Sequence, residues 1–149
     1  MLVPVPVPAP DQDPFEPNNS TSSASVVALP MSSAISTIIT SGDQDYFAID
    51  LGEQSEVTIG VEFPHADGDL DIKLLDHTGK KIAHSNGVTD IEEMSQELAS
   101  GRYYIVVYGY REAANSYQLT LDSVVVSNDF SSDTNDDDDD DGGFWSWWF

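Results

Sequence analysis

The sequence contains no cysteine, and only five of its 149 residues are Lys or Arg. Without cysteine, a disulfide framework, a thiolate zinc site and a cysteine nucleophile are all excluded. So few basic side chains argue against a nucleic-acid binder, because Lys and Arg must displace counterions from phosphates. Long apolar runs are also missing, and no segment reads as a membrane-spanning helix. The three histidines, His65, His77 and His84, stand apart. There is no H-E-x-x-H, G-x-S-x-G or P-loop, and no serine sits in a nucleophile context. The chain is therefore not expected to be an enzyme.

What the chain has in excess is acid. Its 27 Asp and Glu residues give a formal charge of −22. Residues 129–149 carry −8 of this and residues 11–128 carry −14, so the body is acidic without its tail. Such a body repels nucleic acid and anionic lipid, attracts cations and gains from salt that screens its self-repulsion. Hydrophobic residues make up 40% and aromatics 10%. That suffices for one packed domain and is too rich for a wholly disordered chain.

Three segments follow from composition. Residues 1–10, MLVPVPVPAP, alternate proline with small apolar residues and read as an extended polyproline II spacer. They show no basic n-region and no apolar run typical of an export signal, so a preceding segment or a removed signal is expected. Residues 11–128 form the expected domain. Residues 129–149 read as a disordered tail, with six consecutive Asp at 136–141 and a terminal FWSWWF. The Asp run suits a solvated spacer or loose calcium chelation. The aromatic end suits a partner or a membrane interface but is too short to span one.

Within the domain the pattern is β. Strands are expected near Ala34–Thr40, Asp45–Leu51, Glu56–Phe63, Asp69–Asp76, Lys81–Ser85, Glu92–Leu98, Arg102–Tyr110 and Tyr117–Val126, with a short helical turn within Ser22–Leu29 before Pro30. Phe47, Ile49 and Leu51 share a face by period-2 alternation, as do Val57, Ile59, Val61 and Phe63, and Leu70, Ile72 and Leu74. Polar residues fill the opposite faces. Breakers such as SGDQ, HADGD, HTGK and SNGVTD separate the strands. About eight short strands with no long amphipathic helix predict an all-β antiparallel sandwich.

Three constellations carry chemistry. Asp13, Glu16, Asn18 and Asn19 offer four oxygen side chains within seven residues, and Asp43 and Asp45 add two before a predicted strand. Oxygen donors in this density suit Ca²⁺. The structural alternative is that Glu16 and the Asn pair cap the short helix while Asp43 makes a turn. Asp67, Asp69 and Asp71 fall on one face by alternation, with Lys73 beside them, and read as a solvated strand edge or a second metal site. Tyr104, Val106, Tyr108 and Tyr110 alternate with Tyr103, Ile105 and Val107. One of these faces is core, and the other is free to display aromatics.

Four stretches also resemble a family. These are Asp13-Pro-Phe-Glu16-Pro-Asn18-Asn19-Ser20, Gly42-Asp43-Gln44-Asp45-Tyr46-Phe47, Gly68-Asp69-Leu70-Asp71-Ile72, and Gly101-Arg-Tyr103-Tyr104-Ile-Val-Val-Tyr108-Gly109 followed by Asn115-Ser-Tyr117-Gln-Leu119. In order and spacing they resemble the bacterial pre-peptidase C-terminal domain and the related collagen-binding domain of clostridial collagenases. The resemblance spans roughly residues 11–126. It implies a jelly-roll-like sandwich of secreted proteins, usually appended to an extracellular peptidase and not itself catalytic. It further implies a calcium site on Glu16, Asn18, Asn19 and Asp45, with Asp13 and Asp43 supplying carboxylates where Pro14 and Gly42 replace acidic ligands. It also implies polymer contact through Tyr104 and Tyr108. The expected partners are a peptidase domain or an extracellular polymer such as a collagen-like protein or polysaccharide. A ligand-free secretion or maturation appendage is the third reading.

Overall fold

The computed structural model of the protein describes residues 13–31 and 33–126. The Pro-rich spacer and the acidic tail lie outside the described residues. The described residues form nine strands: β1 (Ser25–Val26), β2 (Ile35–Ile39), β3 (Gln44–Leu51), β4 (Ser55–Glu62), β5 (Leu70–Leu75), β6 (Lys81–Ser85), β7 (Ile91–Leu98), β8 (Gly101–Gly109) and β9 (Asn115–Val125). They assemble into two sheets, one ordered β1-β3-β8-β5-β6 and the other β2-β9-β4-β7. Every pairing is antiparallel except β1 with β3. The result is the β-sandwich that the alternation predicts.

The core lies between the sheets and takes its residues from the expected faces. Phe47 and Ile49 of β3, Ile72 and Leu74 of β5, and Ile105 and Val107 of β8 are fully buried. Val57, Ile59 and Val61 of β4 meet them from the other sheet, with Leu119 and Leu121 of β9. Burying such side chains stabilises by roughly 1.5–3 kcal/mol each, which is the main force closing the sandwich. The tyrosine-bearing strand β8 resolves accordingly. Tyr103 packs with Ile105 and Val107 against the main core. Tyr104 and Val106 enter a second cluster with Ala48 and Leu75, against which Ala24, Tyr46 and Tyr108 pack.

The segment before β2 differs from the expectation. Only Thr21–Ser23 is helical, as a single 3-10 turn capped reciprocally by Ser20 and Ser23. Glu16 and the Asn pair therefore do not cap it. Ser25–Val26 is instead extended, with Ser25 beside Phe47 and Val26 beside Ala48. The Val27 amide continues the contact by donating to the Ala48 carbonyl at 2.8 Å. Branching at Cβ disfavours the helix here, and the exposed edge of β3 offers the backbone partners.

Candidate metal centre

Two elements bring the first constellation together. Strand β3 begins at Gln44, preceded by a turn in which the Asp43 amide donates to the Thr40 carbonyl at 3.0 Å. Gly42 takes φ +80° in that turn, a conformation that favours glycine. Asp43 accepts a 2.9 Å bond from the Gln44 amide. Asp45 has the same parity along the strand as Phe47, so its carboxylate is carried to the core side and is fully buried. The N-terminal segment crosses beside it. Phe15 anchors that segment by meeting Phe47 edge-on at 5.6 Å between ring centroids. The Ser25 hydroxyl donates to the Phe15 carbonyl at 3.1 Å, and the Tyr46 amide donates to the Asn18 carbonyl at 2.7 Å.

Thus placed, Asp13, Glu16, Asp43 and Asp45 each contribute a carboxylate oxygen, and these oxygens lie within 4.8 Å of one another. Two unit charges at that separation repel by roughly 3.5 kcal/mol at an effective dielectric near 20. No basic residue among the described ones pairs with the group to offset this. The ion pairs among the described residues are His65–Asp69 and Arg102–Asp50, neither of which touches it. The carboxyl of Asp45 is accordingly pushed up to about 8, by burial first and then by Asp13, Asp43 and Glu16, even though a Tyr117 hydrogen bond acts the other way. Glu16 is also raised, by burial and by Asp43, and Asp43 is raised by burial and by Asp13.

Three details point beyond a turn or a cap. Asp13 is buried, with Oδ1 accepting from the Thr37 hydroxyl at 2.7 Å and the Phe15 amide at 2.8 Å. Its Oδ2 is buried with no hydrogen-bond partner. Tyr117 of β9 reaches across the sandwich and donates to Asp45 Oδ2 at 2.5 Å, leaving the other oxygen of that carboxylate for the cluster. Asn18 is fully buried, and its amide oxygen faces only acceptors. Turning the amide over would let its nitrogen donate to Glu16 Oε2 at 2.5 Å and Asp45 Oδ1 at 3.3 Å. One orientation adds a fifth oxygen to the group, and the other bridges the carboxylates with protons. An all-oxygen donor set with an orphaned buried carboxylate oxygen fits a hard divalent cation such as Ca²⁺. Asn19 is exposed and donates to Glu16 Oε1 at 3.2 Å, which places it behind a carboxylate of the group.

The fold is similar to that of a solved structure, the pre-peptidase C-terminal domain of collagenase from Bacillus anthracis. The TM-score is 0.56 at 19% identity, over 66% of this chain and 93% of that one. This chain shares its fold with that pre-peptidase C-terminal domain. PliG from Aeromonas hydrophila, a periplasmic inhibitor of g-type lysozyme, is similar to a like degree, with TM-score 0.55 at 14% identity over 68% of this chain and 97% of that one. No protein-family model matches the sequence, and no curated protein matches it. The likeness therefore rests on architecture, as expected where alternation is kept and identities drift.

The tyrosines singled out for polymer contact lie elsewhere on this fold. Tyr104 is buried, at 8% exposure, and Tyr108 is half-buried with the Lys73 amine 5.3 Å from its ring centre. Two residues that hydrogen-bond the carboxylate group, Thr37 and Tyr117, are not marked by any motif in the sequence. Tyr117 shares parity with the buried Leu119 and Leu121. A hydroxyl on a core face needs a buried partner, and that is the signal the sequence offers for it.

Proposed function

We propose that this chain is a non-catalytic extracellular accessory module, of the type appended to secreted peptidases, that binds one calcium ion at Asp13, Glu16, Asn18, Asp43 and Asp45. The observation that carries the reading is the buried, partnerless Oδ2 of Asp13, whose carboxylate belongs to a group of four with no basic partner among the described residues. Calcium would supply the positive charge that lets these carboxylates stay ionised together. Asp13 and Glu16 come from the N-terminal segment, Asp43 and Asp45 from the turn and strand β3. Their joint ligation therefore ties that segment to the sandwich. A cation that binds only the folded form adds RT ln(1 + [Ca²⁺]/Kd), or about 2.7 kcal/mol at a hundredfold excess. Secretion and attachment to a peptidase are supported by the shared fold alone. Polymer binding through Tyr104 and Tyr108 has weaker support, since Tyr104 has little surface to offer.

The test is a thermal melt of the full chain in calcium, in magnesium and in chelator, for the wild type and Glu16→Gln. The wild type is expected to gain several degrees in calcium beyond the magnesium value. The variant should lose most of that gain and match the wild type in chelator. Equal losses in both conditions would reject the metal role and return Glu16 to loop structure.

A further inference from the structure

A second acidic group sits at the opposite edge of the β3-containing sheet. Strand β6 pairs with β5 only from Ile72 onward, where Ile72 stands beside Ser85. Asp69 and Asp71 therefore lie past the end of that pairing. The chain leaving β6 turns back into β7 and delivers Glu92 to the same place. Oxygens of Asp69, Asp71 and Glu92 lie within 4.8 Å of one another. Alternation points to Asp67 as the third member, but Asp67 closes a 3-10 turn before β5, with its amide on the Pro64 carbonyl, and is exposed.

This group has the marks of a built site. Asp71 is 2% exposed and Glu92 is 1% exposed. Asp69 Oδ1, Asp71 Oδ1 and Glu92 Oε2 are all buried with no hydrogen-bond partner. The other oxygen of Glu92 is fixed by the Ser85 hydroxyl at 2.5 Å and the Gly87 amide at 2.9 Å, which orients the carboxylate. A Cβ at Gly87 would come within 3.2 Å of Glu92 Oε2, so glycine keeps the approach open. Of the nearby basic side chains, Lys73 lies over the Tyr108 ring, and His65 Nε2 lies 3.4 Å from Asp69 Oδ1. No Lys or Arg makes an ion pair with the three carboxylates among the described residues. Two buried carboxylates and a half-buried third, with oxygens on Asp71 and Glu92 that meet no partner, cost far more than a surface cluster unless a proton or a cation joins them.

We infer that Asp69, Asp71 and Glu92 form a second divalent-cation site, separate from the N-terminal one, that clips the β6–β7 turn to the start of β5. The all-carboxylate set selects a hard cation, with calcium favoured over magnesium because the ligands come from separate segments, Asp71 on β5, Glu92 on β7 and Asp69 just before β5. The site is distinct from the first in every ligand. The upward shift of the Asp71 carboxyl to about 6, from burial and then from Asp69 and Glu92, agrees with this arrangement.

The experiment is a calcium titration of the full chain followed by amide NMR, in wild type, Asp45→Asn and Glu92→Gln. The amides of Gly87, Asp69 and Asp71 report the second site, and those of Phe15 and Tyr46 report the first. Saturable shifts at Gly87, Asp69 and Asp71 are expected in wild type and in Asp45→Asn. In Glu92→Gln they should need at least tenfold more calcium, while Phe15 and Tyr46 respond as in wild type. The amide oxygen of the Glu92→Gln variant can still accept from Ser85 and Gly87. Should that variant fail to fold, Asp69→Asn at the half-buried position gives the same comparison. No saturable response at Gly87 with millimolar calcium would overturn the second site and leave the first untouched. An unchanged response in Glu92→Gln would overturn it equally.

Discussion

Among single residues, Asp45 weighs heavily in how the protein responds to pH. Its carboxyl rises from an ordinary 3.8 to about 8 in the folded chain. The folded form thus holds a proton that the unfolded form releases near pH 4. Stability from this group is complete below pH 4 and is lost as pH rises through about 8. In chelator, the melting temperature is expected to fall steadily between pH 5 and pH 8.5. Asp45→Asn, which keeps an acceptor for Tyr117, should flatten that fall and remove the calcium response of the N-terminal site. A wild-type melting temperature that rises over this range in chelator would contradict the assignment. A calcium ion bound as proposed would displace the same proton, so its apparent affinity should climb with pH up to about 8 and then level off. Calorimetry in two buffers of different ionisation enthalpy reads the released proton directly.

Among the elements, the N-terminal segment is held by few contacts of its own. Phe15 on Phe47, the Thr37–Asp13 hydrogen bond and the short parallel pairing of β1 are the principal ones. Calcium should slow hydrogen exchange at the amides of Phe15, Tyr46 and Val27 while leaving the central amides of β4 and β9 unchanged. Uniform slowing across all strands would mean that calcium acts on global stability only. Thr37→Val removes a buried donor to a carboxylate and should cost roughly 1.5–3 kcal/mol, measured by denaturant unfolding in calcium. The helical turn expected over Ser22–Leu29 belongs with this segment as well. Its sequence is ambiguous between a turn and an extended strap, and the free edge of β3 settles it as a strap.

Across the whole molecule, charge opposes folding. A formal −22 on 149 residues repels itself, and the ion pairs of the described body are just two. One of them, Arg102 with Asp50, bridges β8 and β3 through two bonds of 2.8 and 2.7 Å but is exposed and contributes little. Molar KCl added in chelator should therefore raise the melting temperature, by roughly 2–5 °C for each kcal/mol of repulsion it screens. A flat response would show that self-repulsion among the acids contributes little to stability. The sandwich itself should tolerate surface change and resist core change. Ile59→Ala, at a fully buried centre of β4, is expected to cost about 2–5 kcal/mol in equilibrium unfolding.

The sandwich is legible in the local pattern of residues. Phe47, Ile49 and Leu51, or Val57, Ile59 and Val61, repeat every second residue, and a strand has only two faces, so alternation dictates what is buried. All eight expected strands form within a residue or two of their expected ends, because breakers such as Gly42-Asp43 and Gly79 stop the pairing locally. The chain order also makes Asp13, Glu16 and Asn18 visible as neighbours, and likewise Asp43 and Asp45. What these side chains face is fixed by how the sheets pack. The cross-sheet reach of Tyr117 to Asp45 spans 72 positions of sequence, and Glu92 meets Asp71 from a strand of the other sheet. Neither contact leaves a local periodic trace. What does remain in the sequence is a carboxylate at a core-facing parity, Asp45 beside Phe47 and Glu92 beside Met94. A buried charge must find a partner, and which one it finds is set by how the sheets are laid together.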